Sequence, residues 1–122
     1  MLDVGFNGHL AACGMMGTVI RRNWSIFKLG AVGTESDGAC VLTGPLCTTI
    51  DQLATGIELL PLSRGDVVAI PSSGAYGLTA SPFRFISHPV PREVLVREGS
   101  DGADLVDVSE ERDAFSGEAG GA

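Results

Sequence analysis

Cysteine, histidine and aromatic residues are scarce in this chain. Its 122 residues hold three Cys, two His, one Trp and one Tyr. The three cysteines (Cys13, Cys40, Cys47) form no C-x-x-C pair and no Cys/His cluster of zinc spacing, so no metal site is expected. An odd, sparse set of thiols reads as free cysteines in a reducing cytoplasm. No apolar run approaches the roughly 18 residues that a membrane helix needs. The start, Met1-Leu-Asp-Val-Gly, lacks the basic stretch of a secretory signal. The length falls short of an α/β barrel, which takes roughly 250 residues. Basic surface is absent too. The seven acids and seven bases of residues 1–97 cancel, and the eight acids and lone Arg112 beyond them carry the whole net charge of −7. That balance excludes a nucleic-acid footprint and a polybasic lipid patch.

Glycine is plentiful, at 17 residues, and hydrophobic residues make up 44%. The pattern is that of a globular β domain with many turns. Strands are expected at Thr18–Leu29, Ala39–Thr43, Gly56–Leu62, Val67–Ile70, Phe83–Ser87 and Glu93–Val96. Short helical turns are expected within Thr48–Thr55, capped by Thr48 or Thr49, and within Ala75–Ala80. The spacing of the strands suggests a barrel or sandwich. Beyond Glu98 the composition shifts to Gly, Ser, Asp, Glu and Ala, which predicts a mobile acidic tail over 98–122.

His9 and His88 are isolated and read as surface or capped residues. Trp24, Cys13 and Cys40 read as core. Arg21 and Arg22 are adjacent on an expected strand, face opposite ways and form no single phosphate clamp. Two segments carry more chemistry. In Gly44-Pro-Leu-Cys-Thr-Thr-Ile-Asp51 a thiol is presented just before an expected helical turn, whose dipole favours the thiolate. Cys47 there is either a proton donor or nucleophile or a buried structural thiol. In Ser72-Ser-Gly-Ala-Tyr-Gly-Leu-Thr-Ala-Ser-Pro82 the only Tyr stands between Gly74 and Gly77. Glycine lets backbone approach a ligand closely, and a phenol donates to a phosphate oxygen. The bland reading is a Tyr that caps one end of a barrel.

Taken together, Gly44-Pro45-x-Cys47-x-x-x-Asp51, Gly65-Asp66 and Gly74-Ala75-Tyr76 resemble the C-terminal domain of the fold-type III pyridoxal-phosphate decarboxylases, which act on ornithine, arginine and diaminopimelate. Asp3-Val4-Gly5-Phe6-Asn7 looks like the family's entry strand, with Val4 where Gly is usual. His9-Leu-Ala-Ala-Cys-Gly14, Val19-Ile-Arg-Arg-Asn23, Ser87-His-Pro89 and Glu93-Val-Leu-Val96 extend the likeness over residues 1–97. They are most similar to the exosortase-associated and glutamyl-carrier-protein decarboxylase subgroup.

The resemblance implies a mainly β, Greek-key-like barrel or sandwich similar to the alanine racemase C-terminal domain. It implies pyridoxal 5′-phosphate as cofactor, an N-terminal α/β barrel that carries the Schiff-base lysine, and a homodimer with sites at the subunit interface. Lys28, the only lysine, matches no such position, so the chain by itself is expected to be inactive. Cys47 matches the candidate proton donor. Tyr76, with Gly74, matches the cofactor-phosphate site, and Asp3 matches an acid near the substrate. Asp51 matches the motif's trailing, structural acid. Thr48 stands where the ornithine and diaminopimelate enzymes carry an acid. A neutral hydroxyl pairs less well with a distal ammonium than a carboxylate does, which points to an acidic, modified or carrier-linked amino acid as substrate. The alternative function is a non-catalytic docking or dimerisation domain.

Overall fold

In the computed structural model, the described residues are 1–16, 20, 22–33, 35–99 and 102–109. They fall into two compact units, Met1–Val90 and a part that begins at Pro91. The chain is mainly β, with six strands and three short 3-10 turns among the described residues. The strands pair as three antiparallel two-stranded ladders that do not close into a barrel.

The first unit centres on β2 (Ala39–Thr43) and β3 (Gln52–Glu58). Their register runs Ala39↔Glu58, Cys40↔Ile57, Val41↔Thr55, Leu42↔Ala54 and Thr43↔Gln52. It slips between Cys40 and Val41 and again between Leu42 and Thr43, which leaves Gly56 and Leu53 opposite no residue. Gly56 takes a left-handed φ of +64°, as a bulge glycine does. The slip at Leu53 breaks strand alternation, so consecutive Leu53 and Ala54 are both buried. With Phe6, Ala12, Cys13, Leu42 and Leu46 they form the core, flanked by Leu10, Trp24, Ile26 and Ile57.

The second ladder joins β1 (Phe27–Lys28) to β4 (Val68–Ala69). Lys28 fastens it by donating to the Pro61 carbonyl at 2.9 Å and pairing with Asp66 at 2.8 Å. The long strand expected from Thr18 shrinks to two residues. Thr18, Val19 and Arg21 lie outside the described residues. Asn23 uses its side chain instead of its backbone, donating to Thr55 O and accepting from Thr55 N.

Three other expectations change. The helical turn expected within Thr48–Thr55 ends at Asp51, and Gln52 onward is strand β3. Phe83–Ser87 is not a strand. Its end is the 3-10 turn Phe85–Ser87, in which Ile86 and Ser87 take φ of 48° and 59°. Prolines 82, 89 and 91 around it remove ladder donors. The expected mobile tail contains β6 (Gly102–Asp107), paired from Val94↔Asp107 to Gly99↔Gly102 with β5 (Val94–Gly99). Arg92–Asp107 and Glu93 N–H to Ser109 Oγ hold the open end of this hairpin. Residues 110–122 lie outside the described part. The turns at Gly74–Tyr76 and Leu78–Ala80 agree with the helical turn expected within Ala75–Ala80.

Candidate functional site

The Cys47 turn is built around one carboxylate. Asp51 is 3% exposed. Its Oδ1 accepts from Phe6 N–H at 2.7 Å, and its Oδ2 accepts from Leu46 N–H at 2.8 Å. Its backbone closes the loop, the carbonyl accepting from Gly44 N–H and the amide donating to Thr48 O. The carboxylate therefore ties the entry segment to the turn and satisfies two buried donors. Gly5 and Gly44 flank it so closely that a Cβ would stand 1.9 Å and 2.3 Å from its oxygens. The spacing Gly44…Asp51 is thus a packing requirement, in keeping with the structural role implied for Asp51.

Cys47 sits next to the bonded Leu46 amide with an exposed, free thiol. Exposure rules out the buried structural reading. No helix follows it, so the dipole argument does not apply. Thr48 is half-buried, and its amide donates to Leu46 O. Asp3 is exposed beside a cavity of about 580 Å3 lined by Leu2, Leu42, Leu62, Arg64 and Val68. The adjacent Leu2 amide donates to Thr43 O, which docks the Asp3 segment on β2.

Tyr76 closes the 3-10 turn Gly74–Tyr76 and is 52% exposed. Gly74 takes φ +54°, with open space where a Cβ would project. Both ends of this loop are fastened to residues 9–12. Ser81 Oγ accepts from Leu10 N–H at 2.9 Å and donates to Gly77 O at 2.7 Å. Ser73 Oγ lies 2.8 Å from His9 Nε2. Of the two expectations for His9, surface or capped, the second holds: it is buried, and its Nδ1 accepts from Ala12 N–H at 3.1 Å. That bond makes the ring a neutral Nε2–H tautomer, which donates to Ser73. Desolvation by burial, the larger effect, lowers the His9 pKa below its ordinary 6.5 against the opposing pull of its backbone hydrogen bond. Trp24 meets the ring edge-on at 4.7 Å.

Residues 2–12 therefore bond the Cys47 turn at one end and the Tyr76 loop at the other. Asp3, Cys47, Thr48 and Tyr76 make no hydrogen bond to one another among the described residues. Sequence reasoning singled out those four and Gly74, but gave His9, Ser73 and Ser81 no role in the site. The spacing of Ser73 and Ser81 around Tyr76 was the available signal, and their partners His9 and Leu10, 64 and 71 residues away, were not visible in it. No group of three or more His, Cys, Asp or Glu side chains among the described residues is placed to hold a metal.

Residues 1–74 match the family model described as the pyridoxal-dependent decarboxylase C-terminal sheet domain. The chain belongs to that family. It is 36% identical over 103 residues to the L-glutamyl-[BtrI acyl-carrier protein] decarboxylase of Niallia circulans, covering 82% of this chain and 24% of that protein. It is 41% identical over 75 residues to the diaminopimelate decarboxylase of Methanothermobacter thermautotrophicus, covering 62% and 16%. The crystal structure of diaminopimelate decarboxylase from M. jannaschii superposes with a TM-score of 0.66 at 26% identity, over 86% of this chain and 22% of that one. The chain thus spans about a quarter or less of the length of these relatives.

Pyridoxal-dependent chemistry needs a phosphate anchor, and the Tyr76 loop suits one. The phenol makes no hydrogen bond among the described residues, and the backbone beside it at Gly74 is uncovered. The loop holds no lysine, so it carries no side chain for covalent attachment of the cofactor.

Proposed function

We propose that the domain works as the C-terminal part of a pyridoxal 5′-phosphate-dependent amino-acid decarboxylase. It lends side chains to a site that an N-terminal α/β barrel and a second subunit complete. The observation that carries this reading is the exposed Cys47 thiol on a turn stapled by buried Asp51. A thiol held in place and open to approach is suited to deliver a proton. The cofactor supplies an electron sink for the pair left behind as carbon dioxide departs. Cys47 donates the proton that replaces the lost carboxylate. Tyr76 O–H and the backbone at Gly74 hold the phosphate. Asp3 and Thr48 face the substrate.

The substrate class is an acidic, modified or carrier-linked amino acid. Neutral Thr48 supports it, as does the likeness of most of the chain to a decarboxylase of a glutamyl carrier protein. The setting is the cytoplasm, in keeping with free thiols. No helix among the described residues is long and apolar enough to cross a membrane.

Carbon dioxide release by the complete protein, measured over a panel of free and carrier-linked amino acids, tests the reading. Cys47→Ala is expected to slow turnover or divert protonation toward transamination. An unchanged rate and product ratio removes Cys47 from the reaction. Association with a partner, without bound cofactor or release from any substrate, identifies a docking domain instead.

A further inference from the structure

The Tyr76 loop is left-handed on both sides of one residue, at a cost on the serine side only. Ser72 takes φ 60° and Gly74 takes φ 54°, while Ser73 between them is right-handed at φ −63°, ψ −34°. A left-handed serine is unfavourable and persists only where its surroundings over-determine it. Here the determining contact is on Ser73, whose Oγ bonds the buried His9 ring. Ser73 in turn sets the turn, because its carbonyl accepts the Tyr76 amide at 3.0 Å. A continuous path thus runs from Ala12 N–H through both His9 nitrogens to Ser73, and from Ser73 O to the backbone that carries the phenol.

We propose that His9 is a positioning residue for Tyr76. By donating from Nε2 to Ser73 Oγ, it holds the Ser72–Gly74 backbone, with its left-handed Ser72, in the conformation that presents the phenol to the cofactor phosphate. The inference rests on the reading of Tyr76 as a phosphate ligand. His9 itself touches neither cofactor nor substrate. Trp24 fixes the ring's tilt by its edge contact, and Ala12 N–H fixes its tautomer. The Ser81 clamp on Leu10 secures the far end of the loop, so loss of His9 frees the Tyr76 end selectively.

The experiment is a thermodynamic cycle on pyridoxal 5′-phosphate affinity in the complete apoenzyme, titrated by absorbance. Its variants are Tyr76→Phe, His9→Phe and the double variant. His9→Phe keeps a ring against Trp24 and removes both polar contacts. Tyr76→Phe and His9→Phe are each expected to weaken cofactor binding about five-fold, the range of one hydrogen bond. The double variant is expected to bind no more weakly than either single one, because both act through the same contact. Independent, multiplying effects overturn the proposal, as does unchanged affinity in a folded His9→Phe protein. Unchanged affinity in Tyr76→Phe overturns the phosphate-ligand reading itself, and the inference with it. Where His9→Phe fails to fold, Ser73→Ala removes the same bond from the half-buried side and takes its place in the cycle. A faster amide exchange of Tyr76 in Ser73→Ala is expected, and unaltered exchange there also counts against the proposal.

Discussion

Each carboxylate oxygen of Asp51 answers one buried backbone N–H, and no other acceptor lies on those two bonds. Asp51→Ala strands both donors, each costing about 1–3 kcal/mol. A loss near 3 kcal/mol is expected in urea unfolding, and a loss under about 1 kcal/mol would show that the staple is dispensable. His9 makes a second, pH-dependent contribution. Its folded pKa lies below the ordinary 6.5, so below that value the unfolded chain binds more protons than the folded one. Stability is therefore level above pH 6.5 and declines as pH falls from there toward the folded pKa. Urea midpoints measured at successive pH values are expected to show this decline in the wild type and to lose it in His9→Phe. A decline of equal size in the variant would assign it to other groups. The roles of Asp51 and His9 differ in how visible they were. Asp51 belongs to a motif eight residues long and was read as structural. His9 owes its place to Ser73, far along the chain, so its own neighbours leave surface and capped readings equally open.

At the scale of elements, β2 and the entry segment approach to near contact, because Gly5 and Gly44 face each other across the Asp51 carboxylate. A Cβ on Gly44 would stand 2.3 Å from the Gly5 Cα, a backbone atom that has nowhere to move. Gly44→Ala is expected to lower stability by about 2–3 kcal/mol, the cost of overpacking a close-packed core. A melting temperature equal to wild type would mean that the two segments separate freely. The same junction explains a misread element. Asp51 turns inward to its two amides and ends the turn there. Gln52 and Ala54 then pair against β2 with Leu53 bulged between them, where a local reading favours a helical turn. Ala39–Thr43 was legible because it is a short, largely apolar run bounded by turn residues. Phe83–Ser87 alternates like a strand but finds no partner strand and folds into a turn beside three prolines. Gly102–Asp107 is rich in the glycine and acids that mark a tail. It pairs because Val94–Gly99 presents it with an open ladder.

Over the whole molecule, the chain exposes a phenol at Tyr76 and a thiol at Cys47, and its one lysine, Lys28, is held by Asp66 and the Pro61 carbonyl. Mixed with pyridoxal phosphate, residues 1–122 are expected to show no visible Schiff-base absorbance band. A band that borohydride reduction traps on this chain would contradict that. Composition and motif spacing determined the mainly β class, the absence of a basic surface and the family, because turn residues, strand propensity and short motifs are local properties. The Cys47 turn and the Tyr76 loop were likewise legible as continuous segments. Folding alone placed residues 2–12 between them, with Asp51 bonded to Phe6 and His9 to Ser73. Those bonds join residues 45 and 64 positions apart, and a buried donor takes whichever acceptor the packed core brings within reach.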